Sequence, residues 1–197
     1  MKFAYADPPY LGLAVKLYGD QHAEAAIYDT VNGHAALIDR LSSEFPDGWA
    51  MSLHTPSLRT ILPLCPPDVR VMAWVKPFCS FKPSVRVAYA WEPIIVRGGR
   101  PFVGRDRDTI RDWCAVNMAM KKGFPTAKPA GLVRWLLQVL NARRDDEIID
   151  IFPGSGGVGE AIRTWRDLAA PMSQGTLWDD MWKPNYHEQV RKTSKSK

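Results

Sequence analysis

Two stretches of the chain combine residue types that can do chemistry. The first, Ala6-Asp7-Pro8-Pro9-Tyr10, follows directly on a short apolar run. Two prolines stiffen the backbone between a carboxylate and an aromatic hydroxyl. Taken alone, the stretch reads either as a stiff turn capped by Asp7 or as a rigid active-site loop. The second is Asp150-Ile151-Phe152-Pro153-Gly154-Ser155-Gly156-Gly157-Val158-Gly159. Small residues between a strand and a helix let a ligand come close to the backbone, with N–H groups and the helix N-terminus turned toward it. Such a turn can hold a dinucleotide or a nucleoside, or serve tight packing alone. It is no phosphate-binding P-loop, because no Gly-Lys-Ser/Thr follows.

The elements that must position these stretches alternate in type. Residues 2–6 read as a strand ended by the proline pair. Residues 22–41 have helical spacing, with a break or a helix–helix turn expected at Gly33. The run Gly48-Trp49-Ala50-Met51-Ser52-Leu53 is apolar throughout, as in a strand covered on both faces. A short helix starts at Pro56 and Ser57, and residues 69–75 give another buried strand. Residues 88–96 form a strand with Pro93 inside it, which predicts an edge or a bulge. A helix is expected over residues 108–120. Pro129 suits the first turn of a helix running to about residue 141, with Leu132, Trp135, Leu136, Val139 and Leu140 on its apolar face. Residues 147–152 form a strand, and residues 159–168 the helix behind the glycine turn. The alternation predicts an α/β fold with a mostly parallel sheet.

Bulk properties narrow the class. At 197 residues, 46% hydrophobic and 24% charged, the chain fits one soluble globular domain. Its apolar runs break within about ten residues, too short to cross a bilayer, and the start lacks a signal-peptide core. Cys65, Cys79 and Cys114 show no metal-ligand spacing, which predicts inert thiols in a reduced, cytoplasmic setting. The histidines His22, His34, His54 and His187 are dispersed and read as structural or surface residues. A net charge of +5 and a pI near 9.2 favour a polyanionic partner. Part of the excess lies in residues 191–197, read as a disordered tail. The rest concentrates between Arg97 and Arg111 and at Lys121-Lys122, where charge alone fits a solvated surface as well.

Together, the Asp-Pro-Pro-Tyr loop and the Phe-x-Gly-x-Gly turn resemble the amino-methyltransferases of DNA, which use S-adenosylmethionine to methylate adenine N6 or cytosine N4. A third element, Pro125-Thr126-Ala127-Lys128-Pro129-Ala130-Gly131-Leu132, resembles the Pro-Thr-x-Lys-Pro-x-x-Leu segment heading the helix before that turn in the family. Trp74-Val75-Lys76 and Tyr89-Ala90-Trp91-Glu92-Pro93-Ile94-Ile95 resemble its paired strands beyond the catalytic loop. The order of catalytic loop, variable region, Lys-Pro helix and glycine turn is the circularly permuted arrangement of the family's β group. The resemblance covers most of residues 2–165. It implies a Rossmann-like methyltransferase fold with a minimal sheet, one domain over residues 1–185, and a basic tail over 186–197.

The resemblance also implies roles. Asp7 and the Pro8 carbonyl would accept the two hydrogens of the target amine, Pro8 and Pro9 would hold those acceptors rigid, and Tyr10 would stack on a flipped-out base. S-adenosylmethionine would be held by Asp7, Thr126, Lys128, Asp150, Phe152, Gly154, Ser155, Gly156 and Asp179. Of these, Phe152 would pack near the adenosine, Asp150 would be a polar anchor, and Thr126 and Lys128 would face the amino-acid carboxylate, unless Lys128-Pro129 only starts a helix. Asp179, in Leu177-Trp178-Asp179, is the best candidate for the acid that binds the ribose, though it fits the family pattern poorly. Target recognition would fall in about residues 97–124, with Arg97, Arg100, Arg105, Arg107, Arg111, Lys121 and Lys122 on DNA. No metal is required. An aspartate rather than a serine heading the loop favours adenine. The expectation is therefore a cytoplasmic DNA adenine-N6 methyltransferase acting on double-stranded DNA, with dimerisation as one way for so compact a chain to gain contact area. The alternatives are methylation of RNA adenine or of cytosine N4, and a non-catalytic nucleic-acid-binding fold.

Overall fold

The computed structural model describes residues 1–18, 23–79, 85–102, 109–118 and 127–168. Among them a six-stranded sheet runs in the order β5-β3-β4-β2-β1-β6. Its strands are β1 (Lys2–Ala6), β2 (Gly48–Ser52), β3 (Arg70–Val75), β4 (Trp91–Gly98), β5 (Trp113–Ala115) and β6 (Glu147–Asp150). β1 pairs in parallel with both β2 and β6, and β3 pairs in parallel with β5. Only β4 opposes its neighbours β2 and β3. The carboxyl ends of the five parallel strands and the amino end of β4 therefore share one edge.

β1 shows how its sequence fixes the layers. Phe3 and Tyr5 point into the cluster that holds Leu132, Trp135, Leu136, Val158 and Ile162. Those residues belong to α4 (Ala130–Val139) and α5 (Gly157–Asp167). Ala4 and Ala6 point the other way, against Leu37, Ile38 and Leu41 of α2 (Val31–Glu44). A period of two assigns alternate residues to opposite faces. The chain thus leaves β1 toward one face of the sheet and leaves β6 toward the other.

Three sequence expectations change. The helical break falls at Thr30, not Gly33: the Thr30 side chain caps α2 by accepting from the Gly33 N–H at 3.0 Å. Gly33 is required inside the helix, because a Cβ there would lie 2.1 Å from the Ile27 carbonyl oxygen. Pro93 stands in an interior strand rather than at an edge or bulge. Its carbonyl accepts from the Leu53 N–H, so the side without a donor faces the point where β2 has ended. Finally, residues 108–120 form no helix among those described. Residues 113–115 make a short strand, whose Trp113 aligns with Ala73, and the Trp74 indole donates to the Val116 carbonyl at 2.7 Å.

The opposite edge of the sheet is stapled by Asp146. Its carboxylate, 2% exposed, takes the Met1 ammonium at 2.8 Å and the Arg100 guanidinium at 2.6 Å, and accepts the Arg143 N–H at 2.6 Å. Burial alone would raise its pKa, but these donors hold it down at about 2.

Candidate active site

In open α/β sheets ligands bind outside the carboxyl ends of the strands, where neighbouring strands send the chain to opposite faces. Here that point lies between β1 and β6, and it carries both chemical stretches. Tyr5 aligns with Asp150, and the Ile151 N–H donates to the Tyr5 carbonyl at 2.9 Å. The Asp7 loop and the glycine turn are thus continuations of adjacent strands. Lys128 joins them from the start of α4. Its carbonyl oxygen would lie 3.7 Å from a Cβ placed on Gly157.

The centre of the site is a mixed-charge cluster. Lys128 Nζ stands 3.0 Å from Asp7 Oδ1 and 3.2 Å from Glu92 Oε2, and it donates to the Tyr10 hydroxyl at 2.9 Å. That hydroxyl in turn donates to Glu92 Oε2 at 2.8 Å, with Asp7 Oδ1 at 3.5 Å. Lys76 closes the far side on Glu92 Oε1. The Lys128 side chain is 5% exposed and that of Asp7 22%, so the carboxylate is the accessible member. Each placement has a local cause: Asp7 directly follows β1, Lys76 directly follows β3, and Glu92 is the second residue of the antiparallel β4, opposite Trp74.

Burial sets the titration of these groups, and the neighbours correct it. Desolvation raises the pKa of Asp7, and Lys128 offsets this only in part. Burial pushes Glu92 the same way, but the Lys128 and Lys76 ammonium groups outweigh it and hold Glu92 below the usual range. Lys128 stays charged because Asp7 and Glu92 overcome its own desolvation. The cluster is therefore two ammonium groups facing two carboxylates, of which Asp7 is shifted up and Glu92 down.

The glycine turn forms the other wall. Gly154 and Gly156 have φ of +41° and +74°, the left-handed region that glycine enters freely. Gly156 caps α5, and a Cβ there would meet nothing within 4 Å. Ser155 lies in the same turn, its Oγ 3.5 Å from a Cβ placed on Gly157. Phe152 packs edge-on to Tyr28 at 5.2 Å between ring centroids. Asp150 accepts the Phe152 N–H through Oδ1 at 3.3 Å, while its Oδ2 is buried without a hydrogen-bond partner among the described residues. Burial first, and then the Asp7 charge, raise its pKa to about 6.

The structure thus brings together Asp7, Pro8, Pro9, Tyr10, Lys128, Asp150, Phe152, Gly154, Ser155 and Gly156. It separates others. Arg97 is paired with Asp68 at 2.9 Å and aligned with Trp49 near the start of β2, while Arg100 is engaged with Asp146. Both lie at the sheet edge opposite Asp7, each engaged by an acid. Arg111 precedes β5, its guanidinium 5.4 Å from the Trp113 ring centroid. Arg105, Arg107, Lys121, Lys122, Thr126 and Asp179 lie outside the described residues. Sequence reasoning missed Glu92, Lys76 and His54 as site residues. The available signal was a charged side chain at the end of an apolar strand, in Trp74-Val75-Lys76 and Trp91-Glu92-Pro93.

No protein-family model matches the chain, and no curated protein is significantly similar to it. Solved structures do match. M1.HpyAVI in complex with SAM superposes with a TM-score of 0.54 at 15% identity, covering 83% of this chain and 78% of the other. A second structure of M1.HpyAVI gives 0.50 at 14%, covering 84% and 76%. TTHA0409 of Thermus thermophilus, named as a DNA modification methylase, gives 0.50 at 14%, covering 84% and 77%. At this identity the likeness concerns the fold: a Rossmann-like α/β arrangement, here a mixed six-stranded sheet with helices on both faces. Among the described residues no helix is long and apolar enough to cross a membrane, and no cluster of His, Cys, Asp or Glu could hold a metal ion.

Proposed function

We propose that the protein is a DNA methyltransferase that uses S-adenosylmethionine and acts on the N6 amine of adenine. The observation that carries this reading is the juxtaposition of an accessible, basic carboxylate on a proline-stiffened loop with a glycine turn on the adjacent strand. Fold neighbours that include an SAM complex and a DNA modification methylase support it.

The residues fit the cofactor. Asp150 Oδ2 is a buried acceptor without a donor among the described residues, and the turn at Gly156 leaves open the space a side chain would take. Asp150, Phe152, Gly154, Ser155 and Gly156 would hold the molecule, which when bound supplies a methyl group made electrophilic by a sulfonium. Thr126 and Asp179 remain part of the proposed set, as do Arg105, Arg107, Arg111, Lys121 and Lys122 for DNA.

The chain's own residues do the rest. An exocyclic amine is a weak nucleophile because its lone pair is delocalised into the ring. Asp7 and the Pro8 carbonyl accept its two hydrogens and localise that lone pair. Pro8 is fully buried and Pro9 follows it, so the acceptors are in place before the substrate arrives. As the nitrogen gains a carbon it must lose a proton, and Asp7, with its pKa raised by burial, is the carboxylate suited to take it. Lys128 and Glu92 keep Asp7 and Tyr10 in register, and Tyr10 stacks on the extruded base.

The test is transfer of labelled methyl from S-adenosylmethionine to duplex DNA, followed by digestion to nucleosides. Label in N6-methyladenine is expected. Label on cytosine, or preference for structured RNA in competition, would overturn the adenine or the DNA assignment respectively.

A further inference from the structure

Resting on that reading, we infer that His54 is a positioning residue for Tyr10: it backs one face of the tyrosine ring and so fixes the plane on which the target base stacks.

His54 continues β2 at the same sheet edge as the Asp7 loop. Its ring lies parallel to that of Tyr10, with an interplanar angle of 5° and centroids 5.3 Å apart. Two parallel rings at this separation form an offset stack. The other end of Tyr10 is tied down by its hydroxyl, bonded to Glu92 and Lys128. A planar ring held at its tip and along one face has its orientation set.

The sequence also locks the imidazole. In His54-Thr55-Pro56-Ser57, a 3-10 turn over Thr55–Ser57 with proline in its first positions brings Ser57 back onto His54. The Ser57 hydroxyl donates to the His54 carbonyl at 3.2 Å. The same hydroxyl lies 2.7 Å from the histidine Nδ1, a hydrogen bond that fixes the rotation of the ring. Beyond Tyr10, the ionisable groups that influence this ring are Glu92 from β4 and His34 from α2. Desolvation is the larger influence and lowers the pKa of His54, so a neutral ring faces Tyr10.

Three measurements test the assignment. Proton NMR of the Tyr10 ring should show the ring-current shift of a stacked imidazole in the wild type and its loss in His54→Ala. Absence of that shift in the wild type would overturn the inference whether or not the protein methylates anything. In methyl transfer to duplex DNA, His54→Ala should raise KM for DNA about tenfold, equivalent to about 1.4 kcal/mol, while KM for S-adenosylmethionine stays within about twofold. His54→Phe, which keeps a flat ring, should restore most of the DNA affinity. An unchanged KM for DNA in His54→Ala, or failure of His54→Phe to rescue it, contradicts the positioning role. A wild-type protein inactive on every nucleic acid would instead count against the proposed function, and the NMR result would still decide the ring's state.

Discussion

Lys128 and Asp7, drawn from distant parts of the chain, meet at 3.0 Å in the middle of the site. The contact ties the proline loop to the segment that heads α4, and Glu92 shares the same ammonium at 3.2 Å. Lys128 is thus the hub of the site as well as a helix start.

Removing this hub should cost stability as well as activity. Lys128→Met leaves Asp7 and Glu92 facing each other with their shared cation gone. Loss of one partner from a buried charge group costs about 3 kcal/mol or more, to be read as a lower urea midpoint at an unchanged m-value. A stability within about 0.5 kcal/mol of the wild type would show that the contact is not formed in solution.

Asp150 should make cofactor binding depend on pH. Its pKa of about 6, raised by burial and then by the Asp7 charge, means that the folded protein holds a proton there which the unfolded chain has already released. Between about pH 4 and 6 this stabilises the free protein less and less as pH rises. In the proposed site an ionised Asp150 would complement the α-ammonium of the cofactor. Affinity for S-adenosylhomocysteine should therefore climb from about pH 5 to about pH 7 in calorimetry, and the climb should be absent in Asp150→Asn. Identical profiles for the two proteins would remove Asp150 from the pocket.

Gly156→Ala separates backbone strain from ligand exclusion. A Cβ there meets nothing within 4 Å, so only the φ of +74° is penalised, by about 1 kcal/mol. If the turn receives the cofactor, S-adenosylhomocysteine affinity should fall by about tenfold or more, equivalent to about 1.4 kcal/mol. Loss of stability with full affinity would place the ligand elsewhere.

The opposite edge gives an acid-stability prediction. The Asp146 pKa is held at about 2, below its unfolded value of about 4. Its contribution is fully present above about pH 4 and is lost as pH falls toward about 2. Asp146→Asn should lower stability by about 3 kcal/mol at about pH 7 and flatten the acid limb of a thermal-stability profile between those two pKa values.

Much of this arrangement was legible in the chain because β1, β2 and β6 are short apolar runs whose ends are marked by proline, glycine or acid. Asp7 and Gly154 could be placed at strand ends from local pattern alone. The Lys76–Glu92–Lys128 cluster could not, since it depends on β4 running antiparallel and bringing Glu92 beside the end of β3. The three-residue strand at Trp113–Ala115 was equally hidden, because its conformation comes from pairing with β3 and its flanking Arg and Asp residues carry no period of two. His54 reads as a structural or surface histidine in the sequence. Only the adjacency of β1 and β2 sets it against Tyr10.

The central claim is that Asp7 performs the chemistry on a scaffold that binds cofactor without it. It is tested most directly by comparing Asp7→Ala with the wild type in single-turnover methyl transfer and in S-adenosylhomocysteine calorimetry. The account predicts a rate at least about 100-fold lower, equivalent to about 2.7 kcal/mol, with cofactor affinity within a few-fold. Methyl transfer at the wild-type rate by Asp7→Ala would contradict it.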